Sequence, residues 1–93
     1  MVPLIKHIPG QYRFQTIIDG EEALLQYRLL PGGAWEYLHT FVPQSLRHKG
    51  IGEQIAKFAL DFARDNNLKI KVSCPFVSQY LESHPEYDDL LVK

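Results

Sequence analysis

The chain has 93 residues, 45% hydrophobic and 12% aromatic, with a formal charge of −1 and a pI near 6.4. That length suits one domain over residues 1–93 with a modest core, and the charge lacks the basic excess by which nucleic-acid binders neutralise phosphates. No apolar run approaches the roughly 20 residues that span a bilayer, no signal-peptide-like segment opens the chain, and one cysteine cannot close an internal disulfide, so a soluble, cytoplasmic chain with no membrane or nucleic-acid partner is expected.

Residues Met1 to Gly10 mix Val2, Leu4, Ile5 and Ile8 with Pro3 and Pro9, leaving room for a short strand near Leu4–His7. Gln11 to Ile18 is a β-leaning run, and Asp19-Gly20 after it is a preferred two-residue hairpin turn. A second strand runs from Ala23 to Leu30, with Ala23, Leu25, Tyr27 and Leu29 on one face at period two. Pro31-Gly32-Gly33 closes it, and Ala34 to Val42 makes a third strand of an antiparallel meander. Pro43 has no N–H to give a sheet ladder and marks the strand's exit.

From Gly50 to about Asn66, Ile51, Ile55, Phe58, Ala59 and Phe62 fall on one stripe of an amphipathic helix, and Asn66-Asn67 stops it. A strand from Lys69 to Ser73 follows. A helical crossover between the two strands predicts that it runs parallel to the third. Cys74-Pro75 ends that strand, a second helix spans Phe76 to His84, with Phe76 or Val77, Tyr80 and Leu81 inward, and Pro85 ends it. Glu86 to Lys93 reads either as a last helical turn or as a terminal strand.

Between the third strand and the first helix lies Arg47-His48-Lys49-Gly50-Ile51-Gly52. Three potential cations precede glycines at a helix start, where unpaired N–H groups and the positive end of the dipole bind phosphate oxygens and missing Cβ atoms allow close approach. A nucleoside-triphosphate loop would need Lys-Ser or Lys-Thr after its second glycine, and Glu53 stands there. A dinucleotide fingerprint would need a third glycine where Ile55 stands. Arg47-x-x-Gly50-x-Gly52, after a strand and opening a helix, resembles the acetyl-coenzyme A signature of the GNAT superfamily of N-acetyltransferases. With His39-Thr40-Phe41-Val42-Pro43 before it and Cys74, Phe76, Tyr80 and Pro85 after it, the chain is similar to a minimal single-domain subgroup of that superfamily.

The resemblance implies an α/β fold: a GNAT-like mixed sheet, with an antiparallel meander followed by a splayed parallel strand pair and helices packed on the sheet. It implies acetyl-CoA, or coenzyme A, held by Phe41, Val42, Arg47, His48, Lys49, Gly50, Ile51, Gly52, Cys74 and Phe76, with the Arg47 main-chain N–H among the pyrophosphate donors. It also implies transfer of the acetyl group to a small-molecule or peptide amine by direct attack on the thioester, in a monomer or weak homodimer. A noncatalytic acyl-CoA-binding module is the alternative, because the chain passes from Ile17 to Ala23 through a hairpin where full-sized members have helices that shape the acceptor pocket.

Three residues are candidates for catalysis. His39 is either a satisfied core histidine or the base that deprotonates the amine. Cys74, expected to share a cleft with His39 at the ends of neighbouring strands, is a buried apolar residue, a wall of the thioester pocket or a transient acetyl carrier. Tyr80 is a core aromatic or, by resemblance, the proton donor to the leaving thiolate. No cluster of His, Cys or carboxylate residues has metal-ligand spacing, so no metal is expected.

Overall fold

The computed structural model describes residues 3–92. Val2 and Lys93, placed above in the first and last segments, lie outside the described residues, as does Met1. Five strands form one sheet in sequential order: β1 (Lys6–Ile8), β2 (Arg13–Ile18), β3 (Glu21–Leu29), β4 (Trp35–Phe41) and β5 (Ile70–Val72). The first four pair antiparallel, and β5 joins β4 in parallel after the helix α1 (Ile51–Asp65). This is the mixed sheet that the sequence pattern and the resemblance imply. β1 starts two residues later than expected, because the tight turn Pro9–Gln11 sets its register against Arg13 to Gln15.

Local chemistry explains the turns. Asp19 and Gly20 both adopt left-handed φ, 53° and 79°, the combination whose twist matches a two-residue hairpin. Asn67, at φ 55°, takes the left-handed position that stops α1, and the Asn66 side-chain amide donates to the Phe62 carbonyl at 2.8 Å. Leu29 departs from expectation. It lies beyond the last β2–β3 pair, Arg13 with Gln26, and is exposed at the sheet corner.

Both helices pack on one face of the sheet. α1 crosses β2 and β3, and α2 (Pro75–Glu82) crosses β4 and β5. Phe14, Leu25, Tyr37, Ile55, Leu60, Ile70 and Val77 sit fully buried between them. The Tyr37 hydroxyl donates to the Ala59 carbonyl at 2.6 Å, which fastens mid-β4 to mid-α1, and burial pushes that phenol well above its usual range. Of the expected stripe, Ile51, Ile55 and Ala59 are buried while Phe58 and Phe62 are half-buried, and Gly52, Ala56, Leu60 and Ala63 are also covered. α2 and the 3-10 turn Pro85–Leu90 run alongside that flank, where Arg64 pairs with Asp89 and the Tyr87 hydroxyl donates to Asp61. The terminal segment combines both readings, since after this turn Leu91 bridges to Ile70 in parallel. Among the described residues no helix is long and apolar enough to cross a membrane.

Small residues on α1 let α2 approach. A Cβ built at Gly52 would lie 2.7 Å from Phe76 Cζ. Glycine to alanine inside a helix ordinarily gains about 1 kcal/mol, but here overpacking should win. Gly52→Ala should therefore lose about 1 kcal/mol or more by chemical denaturation, and the same change made in a Phe76→Leu background should recover it. A gain in stability for Gly52→Ala alone would contradict this packing.

Candidate functional site

The chain leaves β4 through Val42 and Pro43 and enters a 3-10 turn, Gln44–Leu46, anchored by buried Leu46. The Ser45 hydroxyl donates to Glu21 and ties this turn to the β2–β3 hairpin. Beyond it the backbone alternates: His48 has φ 66° and Gly50, the N-cap of α1, has φ 75°. Left-handed positions interleaved in a turn aim successive N–H groups into one concavity that suits an anion. No side chain caps α1, and its first intramolecular bond runs from Gln54 N–H to the Gly50 carbonyl. Among the described residues, the N–H groups of His48, Lys49, Gly50, Ile51, Gly52 and Glu53 find no backbone acceptor. The expected donor set changes at one position, because the Arg47 N–H is spent on the Gln44 carbonyl at 3.2 Å. Its exposed side chain folds back on the loop, with Nε donating to the Val42 carbonyl at 3.0 Å.

This loop forms one wall of a cleft of about 490 Å³, lined by His39 to Val42, Leu46 to His48, Gly50 to Glu53, and Phe76. Lys49 stands exposed at the rim and is not part of the lining. The other wall is β4 where β5 has left it. Pairing between the two strands ends at Tyr37, whose carbonyl takes both the Ser73 and Cys74 N–H groups at 3.0 and 3.2 Å. β4 then continues unaccompanied to Phe41 while the other chain turns into α2.

A bulge decides which side chains face this opening. Tyr27 pairs with Tyr37 and Gln26 with His39, so Leu38 is an extra residue on β4. Such a residue reverses the alternation of every side chain after it. Thr40, opposite buried Leu25, therefore faces the helices, and its hydroxyl lies 3.3 Å from Cys74 Sγ. His39, opposite Gln26, is exposed toward the other sheet face. His39 and Cys74 therefore do not meet as expected: Thr40 lies against Cys74, which is not among the cleft-lining residues, while His39 borders the cleft from a strand position that alternates away from the helices.

Tyr80 is also displaced from its expected place. It lies outside the cleft, beyond Phe76, with its ring stacked on His84 at 3.9 Å, and burial raises its phenol above the usual range. Cys74 is 2% exposed and caps α2 without a side-chain bond to the helix. No group of three His, Cys, Asp or Glu residues among those described could hold a metal ion.

Among the described residues no helix covers the sheet face away from α1 and α2. On it, beside the end of the β4–β5 pairing, sits Glu36, a carboxylate only 4% exposed. It accepts from the Ser73 hydroxyl and from Arg28 Nε at 2.6 Å, and those two bonds hold its carboxyl below the ordinary glutamate value. Neither Glu36 nor Thr40 stands out in the sequence. Each is an ordinary strand residue whose position depends on a partner strand.

A sequence model of the family described as GCN5-related N-acetyl-transferase matches residues 13–90. Protein NATD1 of Homo sapiens is 29% identical over 83 residues, covering 87% of this chain and 74% of that protein. Protein NATD1 of Danio rerio is 26% identical over 87 residues, covering 89% and 79%. The NMR solution structure of a GCN5-like protein from Staphylococcus aureus superposes with a TM-score of 0.75 at 31% identity, covering 98% of this chain and 89% of that one.

Because the folded Glu36 carboxyl is held below its unfolded value, its contribution to stability is present above about pH 4.5 and is lost as pH falls through the folded value. Denaturation of wild type and Glu36→Gln across pH 2 to 7 should show a stability gap that is widest near neutrality and closes in acid. A gap that is constant with pH would mean that Glu36 is not held ionised by Ser73 and Arg28.

Proposed function

The chain belongs to the GCN5-related N-acetyltransferase family, and on that premise we propose that it moves an acetyl group from acetyl-coenzyme A to an amine by direct attack on the thioester. The observation that carries this reading is the run of N–H groups from His48 to Glu53 that have no backbone acceptor among the described residues, at a helix start and beside the cleft. A pyrophosphate fits them: each N–H can give a charge-assisted bond, and the α1 dipole adds favourable field. Left-handed Gly50 brings no Cβ to this approach, and the side-chain atom nearest that position is Glu53 Oε2 at 3.6 Å. Arg47 and His48 supply positive charge on the cleft wall, Lys49 adds more at the rim, and Phe41 and Val42 flank the pantetheine path along unaccompanied β4. Acetyl-coenzyme A supplies the activated carbonyl.

The corrected geometry suits a transfer that crosses the sheet. The cleft lies on the helix side, the uncovered face lies opposite, and the parting of β4 and β5 connects the two. In this reading His39 takes the proton of an incoming ammonium on the uncovered face, and Thr40 with Cys74 forms the wall beside the thioester on the other. The acceptor is a small molecule or peptide amine. The uncovered face also motivates a second reading, a noncatalytic acyl-coenzyme A-binding module, because no element on that face shapes an acceptor pocket.

The test is acceptor-dependent release of free thiol from acetyl-coenzyme A over a panel of amines, peptides and polyamines. An active enzyme should lose about 10²–10⁴ of its turnover in His39→Ala, as expected for a missing base, and much less in Cys74→Ser. Tight coenzyme binding with no thiol release across the panel would favour the binding module. Abolished turnover in Cys74→Ser, with an acetylated protein trapped without acceptor, would instead make Cys74 the carrier.

A further inference from the structure

Arg28, Glu36 and Lys71 form one row across β3, β4 and β5 on the sheet face away from the helices, just short of the point where β4 and β5 part. Glu36 is the buried member, with its carboxylate bonded to the Ser73 hydroxyl and to Arg28 Nε. Resting on the transfer reading above, we infer that this row selects the amine acceptor by charge: the acceptor carries a carboxylate that docks on Arg28 while its amine reaches His39.

The buried carboxylate aims the cation. Ser73 holds Glu36, Glu36 takes only Arg28 Nε, and both Nη groups of Arg28 have no partner among the described residues. An exposed guanidinium pinned at Nε presents its free end in one orientation, and two parallel N–H groups match the two oxygens of a carboxylate. The charge of the face has the right sign. Lys71 flanks Glu36 on the other side and makes no ion pair among the described residues, so the row holds two cations against one carboxylate whose oxygens are already bonded. Strand register puts Lys6, the Arg13–Glu22 pair and His39 on the same face. Cations therefore outnumber carboxylates there, although the whole chain has a formal charge of −1. Such a face draws an anion, repels a second ammonium and favours the neutral amine that attacks a thioester. Spacing fits as well. Gln26 pairs with His39 and Arg28 lies two residues further along β3, so the two binding points are about 7 Å apart. Extended 6-aminohexanoate spans that gap and glycine does not. With the acceptor docked, its nitrogen bonds to the thioester carbonyl carbon, the carbon–sulfur bond breaks, His39 takes the proton and the coenzyme leaves as thiolate.

Thiol release from acetyl-coenzyme A with 6-aminohexanoate, with its amide and with the diamine of the same length varies only the charge at the far end of the acceptor. kcat/KM should be about ten-fold higher for the carboxylate than for the amide, and lowest for the diamine; glycine should fall behind 6-aminohexanoate. Arg28→Gln should erase the preference for carboxylate over amide while leaving calorimetric affinity for coenzyme A unchanged, and Lys71→Gln should narrow it. A purely structural Arg28–Glu36 pair would instead lower turnover of all three acceptors equally. That result, or a wild type indifferent to the far-end charge, would overturn the assignment and leave the transfer reading intact. Release of thiol with no acceptor at all in the series or in the wider amine panel would overturn the transfer reading and the acceptor role with it. Carboxylate docking itself is read separately in the wild-type protein. Hexanoate, which has no amine to react, should shift the Arg28 Nε–H resonance in ¹H–¹⁵N spectra, and hexanamide should not; an unmoved Arg28 resonance would overturn the row as a carboxylate site whatever the outcome of the transfer assay.

Discussion

Among the described residues, the N–H groups from His48 to Glu53 find no backbone acceptor. Helix geometry leaves the first turn of α1 without internal partners, and Gly50 at the N-cap brings no side-chain oxygen to replace them. Water holds such groups at little cost while they are exposed. An anion that displaces that water gains several charge-assisted bonds at once. The rest of the site positions this one feature: buried Leu46 seats the loop, Ser45 ties it to the hairpin, and Arg47 locks onto Val42. The packing of α2 meets the same turn, because Gly52, two residues past the N-cap, receives the Phe76 ring.

A second constraint lies in the sheet. Tyr37 gives one carbonyl to two N–H groups, and past that point β4 and β5 separate. With the Leu38 bulge, this places Thr40 and Cys74 on the helix side and His39 on the uncovered side. Without the bulge His39 would take the place of Thr40. The two faces of one strand thus carry different chemistry, and the opening beside that strand is where they meet.

What could be read from the sequence was local. The Asp19-Gly20 turn, the Asn66-Asn67 stop and the glycine loop each depend on residues a few positions apart and are found where expected, while the buried face of α1 keeps Ile51, Ile55 and Ala59 of the expected stripe and leaves Phe58 and Phe62 half-buried. Relations between strands were not legible. The bulge arises from the register between β3 and β4, so placing His39 and Cys74 at the ends of neighbouring strands did not show which face of β4 His39 takes. The Arg47 N–H was assigned to an external phosphate because nothing in the sequence shows the 3-10 turn that consumes it. Glu36 becomes visible only once Arg28 and Ser73 are brought to it from the two flanking strands.

The central claim is that the amides at the start of α1 are a phosphate site. Amide ¹H–¹⁵N spectra recorded while coenzyme A is added test it directly. The resonances of His48 to Glu53 should move downfield together and saturate with one affinity, with 4′-phosphopantetheine moving the same set. If those amides stay in place while the largest saturating shifts fall elsewhere in the chain, the claim is contradicted.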